Sequence, residues 1–481
     1  MKHIFVIFLL FVFLVIYFKN DIFIFGQEES LNEHPSKIIL TDPNLKAEIV
    51  TSGLDFPTSM AFLGPSDFVI LEKNTGLVKR VVDGNVVSKP LAEIDVSKKD
   101  ERGLLGVAVS KIKKENNTNN NNNNKNELTH DVFLSYVSCE SKGSNCENKV
   151  TQYQLDNKNN ELVNPKLLLS VPSFPDPAHV GGIITIGPDD NLYVTIGDFH
   201  RTVPKESYKT QAQNFEDGEL PDGRSGILRI TQEGEPVDKE GILGNEYPLN
   251  LYYAYGIRNS FGLDFDPVTG LLWDTENGPN HGDEINLVEP GFNSGSSKIW
   301  GKWLFDEEGD KLKNPDKNSN EKFVTVTGIP DDLFYFNGKG HYSEPEFIWD
   351  KTIAPTGLIF LDSQSLGQEY ENDLFVGSAD GGRLFHFDLS EDRRELVLEG
   401  NISDKVAKNS KDYGNSLFGE GFFLITDLEI GPEDGYLYVV APFGASQEKS
   451  KEPGLGTVYR ITPKENSISQ SITNSIPEYE M

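Results

Sequence analysis

The sequence predicts an all-β protein, a six-bladed β-propeller that occupies residues 46–463. One observation is a unit of strand, Gly-, Asp- or Pro-containing turn and second strand, which occurs six times along the chain. The other is that almost no stretch has the 3.6-residue apolar period of a helix. Strand pairs repeated at long period are typical of a propeller, here of six four-stranded blades around a central channel.

The six copies account for the blades in order along the chain. In each copy the second strand alternates β-branched and aromatic residues. They are MAFLGPSDFVILEK, LLGVAVS continued by DVFLSYV, IITIGPDDNLYVTIGD, LDFDPVTGLLWDTENG, LIFLDSQSLGQEYENDLFVGS and LEIGPEDGYLYVVAP. We expect KAEIVTSGL, residues 46–54, to complete the last blade beside VYRITP, residues 458–463, and so to close the ring.

Three segments lie outside the predicted blades. Met1-Lys2-His3 is followed by fifteen unbroken apolar residues, which indicates a signal peptide or an N-terminal membrane anchor over residues 1–26. Either form predicts an exported protein, secreted or membrane-anchored. The Asn-rich run around residues 115–127 is expected to be a disordered loop, and residues 464–481 a polar tail.

The composition excludes one class of partner. The chain has 44 Lys and Arg residues against 75 Asp and Glu, a formal charge of −31. This charge repels a phosphate backbone, and no basic stripe offsets it. Nucleic acid is therefore not expected as a partner, and the acidity is typical of a solvated surface.

The two cysteines predict a disulfide. Cys139 and Cys146 lie between the strand-like stretches VFLSYV and VTQYQL, so we expect them to face each other across a hairpin loop. The alternative, a metal pair, is disfavoured because the chain has no further cysteine and no histidine lies nearby.

Three stretches carry a family resemblance. HVGGIITIGPDDNLYVTIGD, YAYGIRNSFGLDFDPVTGLLWDTENGPNHGDEINLV and IAPTGLIFLDS resemble the soluble glucose/sorbosone dehydrogenases, and the resemblance extends from about Gly53 to Thr462. It implies a six-bladed propeller that uses pyrroloquinoline quinone (PQQ) and calcium to oxidise a sugar or related alcohol. An external acceptor then collects the electrons.

His179 is the candidate general base. An alcohol gives up a hydride only if a base takes its hydroxyl proton, and a neutral imidazole suits that role at moderate pH. The resemblance assigns this role to His179, and we expect Gly181 and Gly182 after it to leave room for a flat cofactor. The alternative is a histidine whose ring is hydrogen-bonded to a turn carbonyl.

The resemblance also implies the cofactor contacts. Arg258 is expected to stabilise charge on the reduced quinone. Arg258, Asn259, Asn277, Thr352 and Glu101 are expected to contact PQQ. Calcium is expected on the carbonyl oxygens of Gly278 and Pro279, because backbone oxygens suit this hard ion. Asp283 and Glu284 also match the family, and a turn-stabilising role is expected for them.

The chain departs from the family pattern at cationic positions. Asp380 stands where the family tends to place a lysine, and Leu424-Ile425-Thr426-Asp427 where it often has Arg-x-Arg-Asp. Those cations would engage the carboxylates of PQQ. Lys351 and Arg383 are candidate replacements. The family's Asn-Tyr-Gly-Trp-like turn is altered to Asn293-Ser294-Gly295-Ser296-Ser297.

Two functions of different class remain. The first is an exported PQQ- and calcium-dependent dehydrogenase, an oxidoreductase acting on CH–OH groups of a small sugar or alcohol. The second is a non-catalytic propeller that binds a ligand but has lost its PQQ anchors. The histidine and arginine motifs favour the first, and the missing cations favour the second.

Overall fold

The computed structural model describes residues 38–111, 128–140, 145–200, 208–301, 329–443 and 454–464. All of them belong to the second of two units of the chain, Glu33–Met481. The predicted N-terminal segment 1–26, the Asn-rich run and the tail beyond residue 464 lie outside the described residues. Within the described ranges, no helix is long and apolar enough to cross a membrane.

The described residues form strands and short 3-10 helices. The strands are β1 (Ile39–Leu40), β2 (Leu45–Leu54), β3 (Pro57–Gly64), β4 (Asp67–Glu72), β5 (Leu77–Val82), β6 (Asn85–Val86), β7 (Ala92–Glu93), β8 (Leu104–Lys111), β9 (Leu128–Cys139), β10 (Cys146–Asp156), β11 (Glu161–Pro172), β12 (Gly181–Ile186), β13 (Leu192–Ile196), β14 (Gly226–Ile230), β15 (Tyr252–Tyr255), β16 (Ser260–Phe265), β17 (Leu272–Glu276), β18 (Asp283–Val288), β19 (Phe292–Asn293), β20 (His341–Tyr342), β21 (Phe347–Trp349), β22 (Pro355–Phe360), β23 (Leu374–Ser378), β24 (Leu384–Phe387), β25 (Val406–Ala407), β26 (Leu417–Glu420), β27 (Asp427–Ile430), β28 (Leu437–Ala441) and β29 (Gly456–Pro463). The 3-10 helices are Gln211–Gln213, Leu249–Leu251, Pro330–Asp332, Gln368–Tyr370, Gly400–Ile402, Ser410–Asp412 and Gly414–Ser416.

The strands of these ranges group into six sheets. Sheet I is β3-β4-β5-β6 with β7 on β5, sheet II is β8-β9-β10-β11, sheet III is β12-β13-β14-β15-β19-β20, sheet IV is β16-β17-β18-β21-β25, sheet V is β22-β23-β24-β26-β1, and sheet VI is β27-β28-β29-β2. The six strand pairs found in the sequence are the first two strands of these sheets. The expectation of four strands in every sheet is wrong, because short strands from the connecting loops add to the outer edges of several sheets.

The first strands of the sheets form a ring. Each of β3, β8, β12, β16 and β22 contacts the next in this order, β22 contacts β27, and β27 contacts β3. The hydrophobic core is divided among the gaps between neighbouring sheets. It contains Val69 and Val132 between sheets I and II, Phe133 and Val194 between II and III, Tyr193 and Leu263 between III and IV, Trp273 and Phe385 between IV and V, Phe375 and Val439 between V and VI, and Phe68 and Tyr438 between VI and I. The all-β propeller arrangement is thus confirmed.

Strand geometry explains this division of the core. Consecutive side chains of a strand point to opposite faces, so Val132 and Phe133 pack against different neighbouring sheets. Because both faces are covered, a strand such as β13, Leu-Tyr-Val-Thr-Ile, is buried along its whole length.

The turn sequences fold locally. In the turn after β12, Asp190 adopts a left-handed backbone with φ of 62°, and the Gly187 amide donates to the Asn191 carbonyl at 2.9 Å. The Tyr193 hydroxyl donates to Asp189 Oδ2 at 3.1 Å. The turn after β27 has the same contact, from the Tyr438 hydroxyl to Asp434 Oδ2 at 2.9 Å. In both turns an aspartate therefore accepts from a tyrosine on the following strand, four residues later.

The two ends of the described chain close the ring. Strand β2 pairs antiparallel with β29 over its length, as the sequence predicts. Sheets VI and I are also joined by side chains of β27 and the residue before it. Asp427 Oδ2 accepts from the Met60 amide at 2.8 Å, and the Thr426 hydroxyl donates to the Pro57 carbonyl at 3.0 Å.

The predicted disulfide is confirmed. Cys139 and Cys146 are opposite each other in the β9–β10 pair and are bonded. The Arg102 guanidinium donates to Cys146 Sγ at 3.1 Å and to the Ser173 carbonyl at 2.5 Å. The disulfide therefore also packs against the loop that precedes β8.

We expect replacement of both cysteines by alanine to lower the free energy of unfolding by about 2–3 kcal/mol, because the bond closes only a short loop in the unfolded chain. Urea unfolding of the double variant and of the oxidised protein measures the difference. Wild type treated with reductant is the matched control and should lose stability equally, whereas an unchanged midpoint in both would contradict the expectation.

Candidate active site

The predicted site residues lie in loops at one end of the sheets. The first and second strands of each sheet are antiparallel, so the residues before the first strand and those after the second lie at the same end. Loops before first strands carry Glu101, His179, Arg258, Asn259 and Thr352. Loops after second strands carry Lys73, Asp198, Asn277, Gly278, Pro279 and Asp380.

His179 is held by a carboxylate. Its Nδ1 is 2.8 Å from Asp198 Oδ1, and both residues are buried. Because Asp198 accepts a hydrogen bond from Nδ1–H, the neutral ring carries its free lone pair on Nε2. Asp198 is fixed in turn, since its Oδ1 accepts from the His200 amide at 2.9 Å and its carbonyl from Gln213 Nε2 at 3.2 Å. The ring partner is a carboxylate, so the alternative of a histidine bonded to a turn carbonyl is not favoured.

Glu101 holds the backbone on which His179 lies. Its Oε2 accepts from the amides of His179 at 2.7 Å and Val180 at 3.4 Å, and from Asn259 Nδ2 at 3.2 Å. His179 has a φ of 54°, a left-handed conformation that costs energy for a residue with a Cβ. The carboxylate thus stabilises a strained turn and links sheets II, III and IV at this end.

The glycines after His179 lie in a closely packed part of the backbone. Gly181 and Gly182 have φ of 61° and 99°. A Cβ on Gly181 would lie 2.7 Å from the Thr195 carbonyl oxygen, and one on Gly182 would lie 2.5 Å from Leu105 Cδ1. The backbone conformation and close packing of neighbouring strands therefore already require glycine here.

Arg258 is buried beside the loop that follows β17. Its guanidinium donates to the carbonyl oxygens of Asn277 at 2.6 Å and Gly278 at 3.0 Å. Its own amide donates to Glu276 Oε1 at 2.9 Å. Burial lowers the pKa of Arg258, and the nearby carboxylates of Asp198, Glu101, Asp283 and Glu276 oppose this shift. The side chain remains a cation in water-poor surroundings, where its field is strong.

Asn259 and Asn277 connect neighbouring loops. Asn259 Oδ1 accepts from the Gly181 amide at 3.3 Å, and its Nδ2 donates to Glu101. Asn277 Nδ2 donates to the carbonyls of Asn259 at 3.3 Å and Pro355 at 3.0 Å. Both amide groups thus fix the protein's own loops beside Arg258.

Asp283 joins the candidate calcium loop to the loop of Thr352. Its Oδ1 accepts from the Gly278 amide at 2.8 Å, and its Oδ2 accepts from the amides of Ile353 at 2.7 Å and Ala354 at 2.8 Å. Burial raises the pKa of Asp283 to about 6, against these hydrogen bonds. The half-buried Thr352 directly precedes the residues that Asp283 holds. These contacts agree with the turn-stabilising role expected of Asp283.

The altered turn 293–297 is held by polar side chains. Asn293 and Asn214 exchange hydrogen bonds between their amides, at 2.7 and 2.9 Å. The Ser294 hydroxyl donates to Glu276 Oε2 at 2.6 Å. Burial raises the pKa of Glu276 well above its ordinary value and that of Glu284 to about 8. The turn therefore donates a hydrogen bond to buried Glu276, which also accepts from the Arg258 amide.

The structure shows which contacts are made by the residues at the missing cationic positions and by their candidate replacements. Asp380 follows β23, and its amide donates to the Ile353 carbonyl at 2.9 Å. The Arg383 guanidinium lies 5.4 Å from the centre of the Tyr413 ring and 3.4 Å from the Asp380 carbonyl. Lys351 is exposed, and Asp427 is used in closing the ring between sheets VI and I.

Comparison with known proteins identifies the family. The family model described as glucose/sorbosone dehydrogenase matches residues 54–442. The chain belongs to this family. The match covers most of the propeller, from the end of β2 to the residue after β28.

Relatives of this glucose/sorbosone dehydrogenase chain include named enzymes. It is 28% identical over 437 residues to quinoprotein glucose dehydrogenase B of Acinetobacter calcoaceticus, covering 82% of this chain and 88% of that protein. It is 24% identical over 400 residues to an aldose sugar dehydrogenase of Escherichia coli, covering 82% and 90%. A structure titled as the PQQ-bound form of an aldose sugar dehydrogenase from Streptomyces coelicolor has a TM-score of 0.55 at 20% identity, covering 89% of this chain and 99% of that one. At this identity the last comparison supports the fold.

Two residues at this end of the sheets were not predicted from the sequence. Asp198, the partner of His179, stands directly after Gly197 at the end of the third strand pair, and Lys73 stands directly after the first pair. Their position in the chain could have indicated them, because each lies just after the second strand of a sheet. Asn277 and Gly278 hold the same place after their own second strand, and polar residues at that place meet the loops before the first strands.

The residues present fit a quinone cofactor in their donor chemistry. A carboxylate-held imidazole, a buried guanidinium and a lysine lie at one end of the sheets. These groups suit an anionic quinone, which needs cations and hydrogen-bond donors. The Gly278 carbonyl accepts from Arg258 and retains a second lone pair, so it can also face a cation.

Proposed function

We propose that the protein is a PQQ-dependent dehydrogenase that oxidises a sugar or related alcohol and passes the electrons to an external acceptor. The observation that carries the proposal is the pairing of His179 with Asp198 at the end of the sheets where Arg258 is buried. The family and the two named enzyme relatives support it.

We further propose that each of the six sheets is one blade of a propeller spanning residues 46–463. The contact of every first strand with the next supports this count. Export is part of the proposal, with residues 1–26 as signal peptide or membrane anchor, supported by the apolar stretch Ile4 to Phe18 and by the disulfide.

In this function His179 takes the hydroxyl proton of the substrate on Nε2. Asp198 holds the ring in the tautomer that makes Nε2 the acceptor, and it stabilises the imidazolium after transfer. Glu101 keeps the His179 backbone in its left-handed turn, which fixes the place of the ring. PQQ, when bound, supplies the hydride-accepting chemistry.

Arg258 supplies positive charge where negative charge develops on the cofactor. The cofactor is also proposed to contact Asn259, Asn277, Glu101 and Thr352. The side-chain amides of Asn259 and Asn277 additionally fix the positions of their loops. We propose calcium on the carbonyl oxygens of Gly278 and Pro279. The Gly278 loop is held by Asp283, and backbone oxygens are ligands that calcium accepts.

The alternative function, a non-catalytic binding propeller, is less favoured. A general base needs a held tautomer, whereas a ligand-binding module has no need of one. The buried bond between His179 and Asp198 therefore argues for catalysis.

Titration of the purified apo protein with PQQ in the presence of calcium tests the proposed function. We expect the melting temperature to rise with PQQ concentration, because a ligand that binds only the native state stabilises it. Glucose with an artificial acceptor then measures turnover. An unchanged melting temperature at every workable PQQ concentration would falsify the proposal.

A further inference from the structure

A lysine lies beside the candidate site without a described function. Lys73 directly follows β4, so it lies at the same end of sheet I as Asp198 does in sheet III. Its side chain passes over the loop that carries Glu101, since a Cβ built on Gly103 would lie 2.5 Å from Lys73 Cγ. Lys73 therefore belongs to the rim formed by the ends of the strand pairs.

The polar groups bonded to the Lys73 ammonium are neutral. Nζ donates to the Asp100 carbonyl at 2.6 Å and lies 3.5 Å from Asn74 Oδ1, with the Phe56 ring centre at 5.7 Å. Burial lowers the pKa of Lys73 to about 8, and the charge of Glu101 opposes this shift. Lys73 is half-buried, and a partly desolvated cation whose hydrogen-bond partners are neutral is stabilised by an anion that contacts it with good geometry.

The carboxylates of Glu101 and Glu72 accept hydrogen bonds from groups other than Lys73. Glu101 Oε2 accepts from His179, Val180 and Asn259. Glu72, next to Lys73 in sequence, is bound by Lys79 at 2.8 Å and by the Thr75 hydroxyl at 2.8 Å. Among the described residues, the Lys73 ammonium therefore hydrogen-bonds only neutral groups, while the charge of Glu101 acts on it from nearby.

We propose that Lys73 binds a carboxylate of the quinone cofactor, in place of the cations that the family resemblance leads one to expect on sheets V and VI. The inference rests on the proposed function. It explains how an anionic cofactor is held although Asp380 and the run from Leu424 to Asp427 carry no positive charge.

Equilibrium binding of PQQ tests this assignment, with protein fluorescence quenching as the readout and calcium present. We expect Lys73→Met to bind PQQ about 10- to 100-fold more weakly, the usual effect of losing one charge-assisted hydrogen bond. Lys73→Arg keeps the charge and should bind within about threefold of wild type. Lys79→Met is the matched control, because Lys79 is bound to Glu72 on the same sheet, and should bind like wild type.

The pH dependence gives a second readout that a packing defect would not change. As pH rises through about 8, the Lys73 ammonium loses its proton, so wild-type affinity should fall. Lys73→Met and Lys73→Arg should lack this decline. The ionisable group that faces Lys73 is Glu101, from the loop before β8, while Phe56 and Asn74 do not titrate.

Each outcome decides the assignment. Weak binding by Lys73→Met with retention by Lys73→Arg supports it. Equal affinity of Lys73→Met and wild type overturns it and leaves the proposed function standing, whereas no PQQ binding by wild type overturns both. If Lys73→Met does not fold, a flat pH profile of wild type beside that of Lys73→Arg overturns the assignment.

Discussion

Replacing His179 with alanine is expected to lower turnover by about 100- to 10,000-fold, the usual contribution of a positioned general base. The variant should still bind PQQ, because the base acts on the substrate while Arg258, Asn259 and the Gly278 loop lie around the cofactor. Steady-state turnover with saturating sugar and an artificial acceptor measures the rate, and fluorescence quenching measures PQQ binding.

Two further variants separate a chemical role from a structural one. Asp198→Ala removes the oxygen that accepts from the His179 ring, so the tautomer with its lone pair on Nε2 is no longer fixed. We expect it to lose most turnover with little change in PQQ affinity. His341→Ala, in the outer strand β20 of sheet III, is the control and should turn over like wild type. Unchanged turnover of loaded His179→Ala would show that this histidine is structural.

Replacing Arg258 with alanine is expected to weaken both PQQ binding and turnover, because its charge acts on the cofactor in the bound and in the reacting state. Loss of a buried donor of this kind lowers rates by about 100- to 1,000-fold. The carbonyls of Asn277 and Gly278 also lose their donor, so the loop proposed for calcium should loosen.

Arg258→Lys provides the matched comparison, since it keeps the charge but has a shorter side chain without the guanidinium, whose Nη1 donates to both carbonyls. We expect intermediate PQQ affinity and turnover, with the calcium concentration needed for half-maximal activity raised in both variants. A melting curve of each apo variant checks folding. PQQ affinity of Arg258→Ala equal to that of wild type would exclude Arg258 from the cofactor site.

Interactions between residues close in sequence were sufficient to predict the strand pairs and the disulfide. Turns such as Gly187 to Asn191 fold through contacts within a few residues, so their sequence predicts them directly. The facing of Cys139 and Cys146 follows from one hairpin. His179 and Arg258 were proposed as site residues because the motifs around them resemble a known family.

Contacts between distant parts of the chain decided the rest. Glu101 holds the backbone of His179 across 78 residues of sequence, and the need for glycine at Gly182 comes from Leu105 in another sheet. Lys73 reaches the loop of Glu101 because the end of one strand pair lies beside the start of the next. The alternation of side chains along a strand is encoded locally, but which loops meet at one end of the sheets is fixed only when six sheets pack into a ring. The sequence by itself therefore determined the repeated strand pairs. The tertiary structure determined the partners that hold His179 and Arg258, because those partners are brought together by packing between sheets.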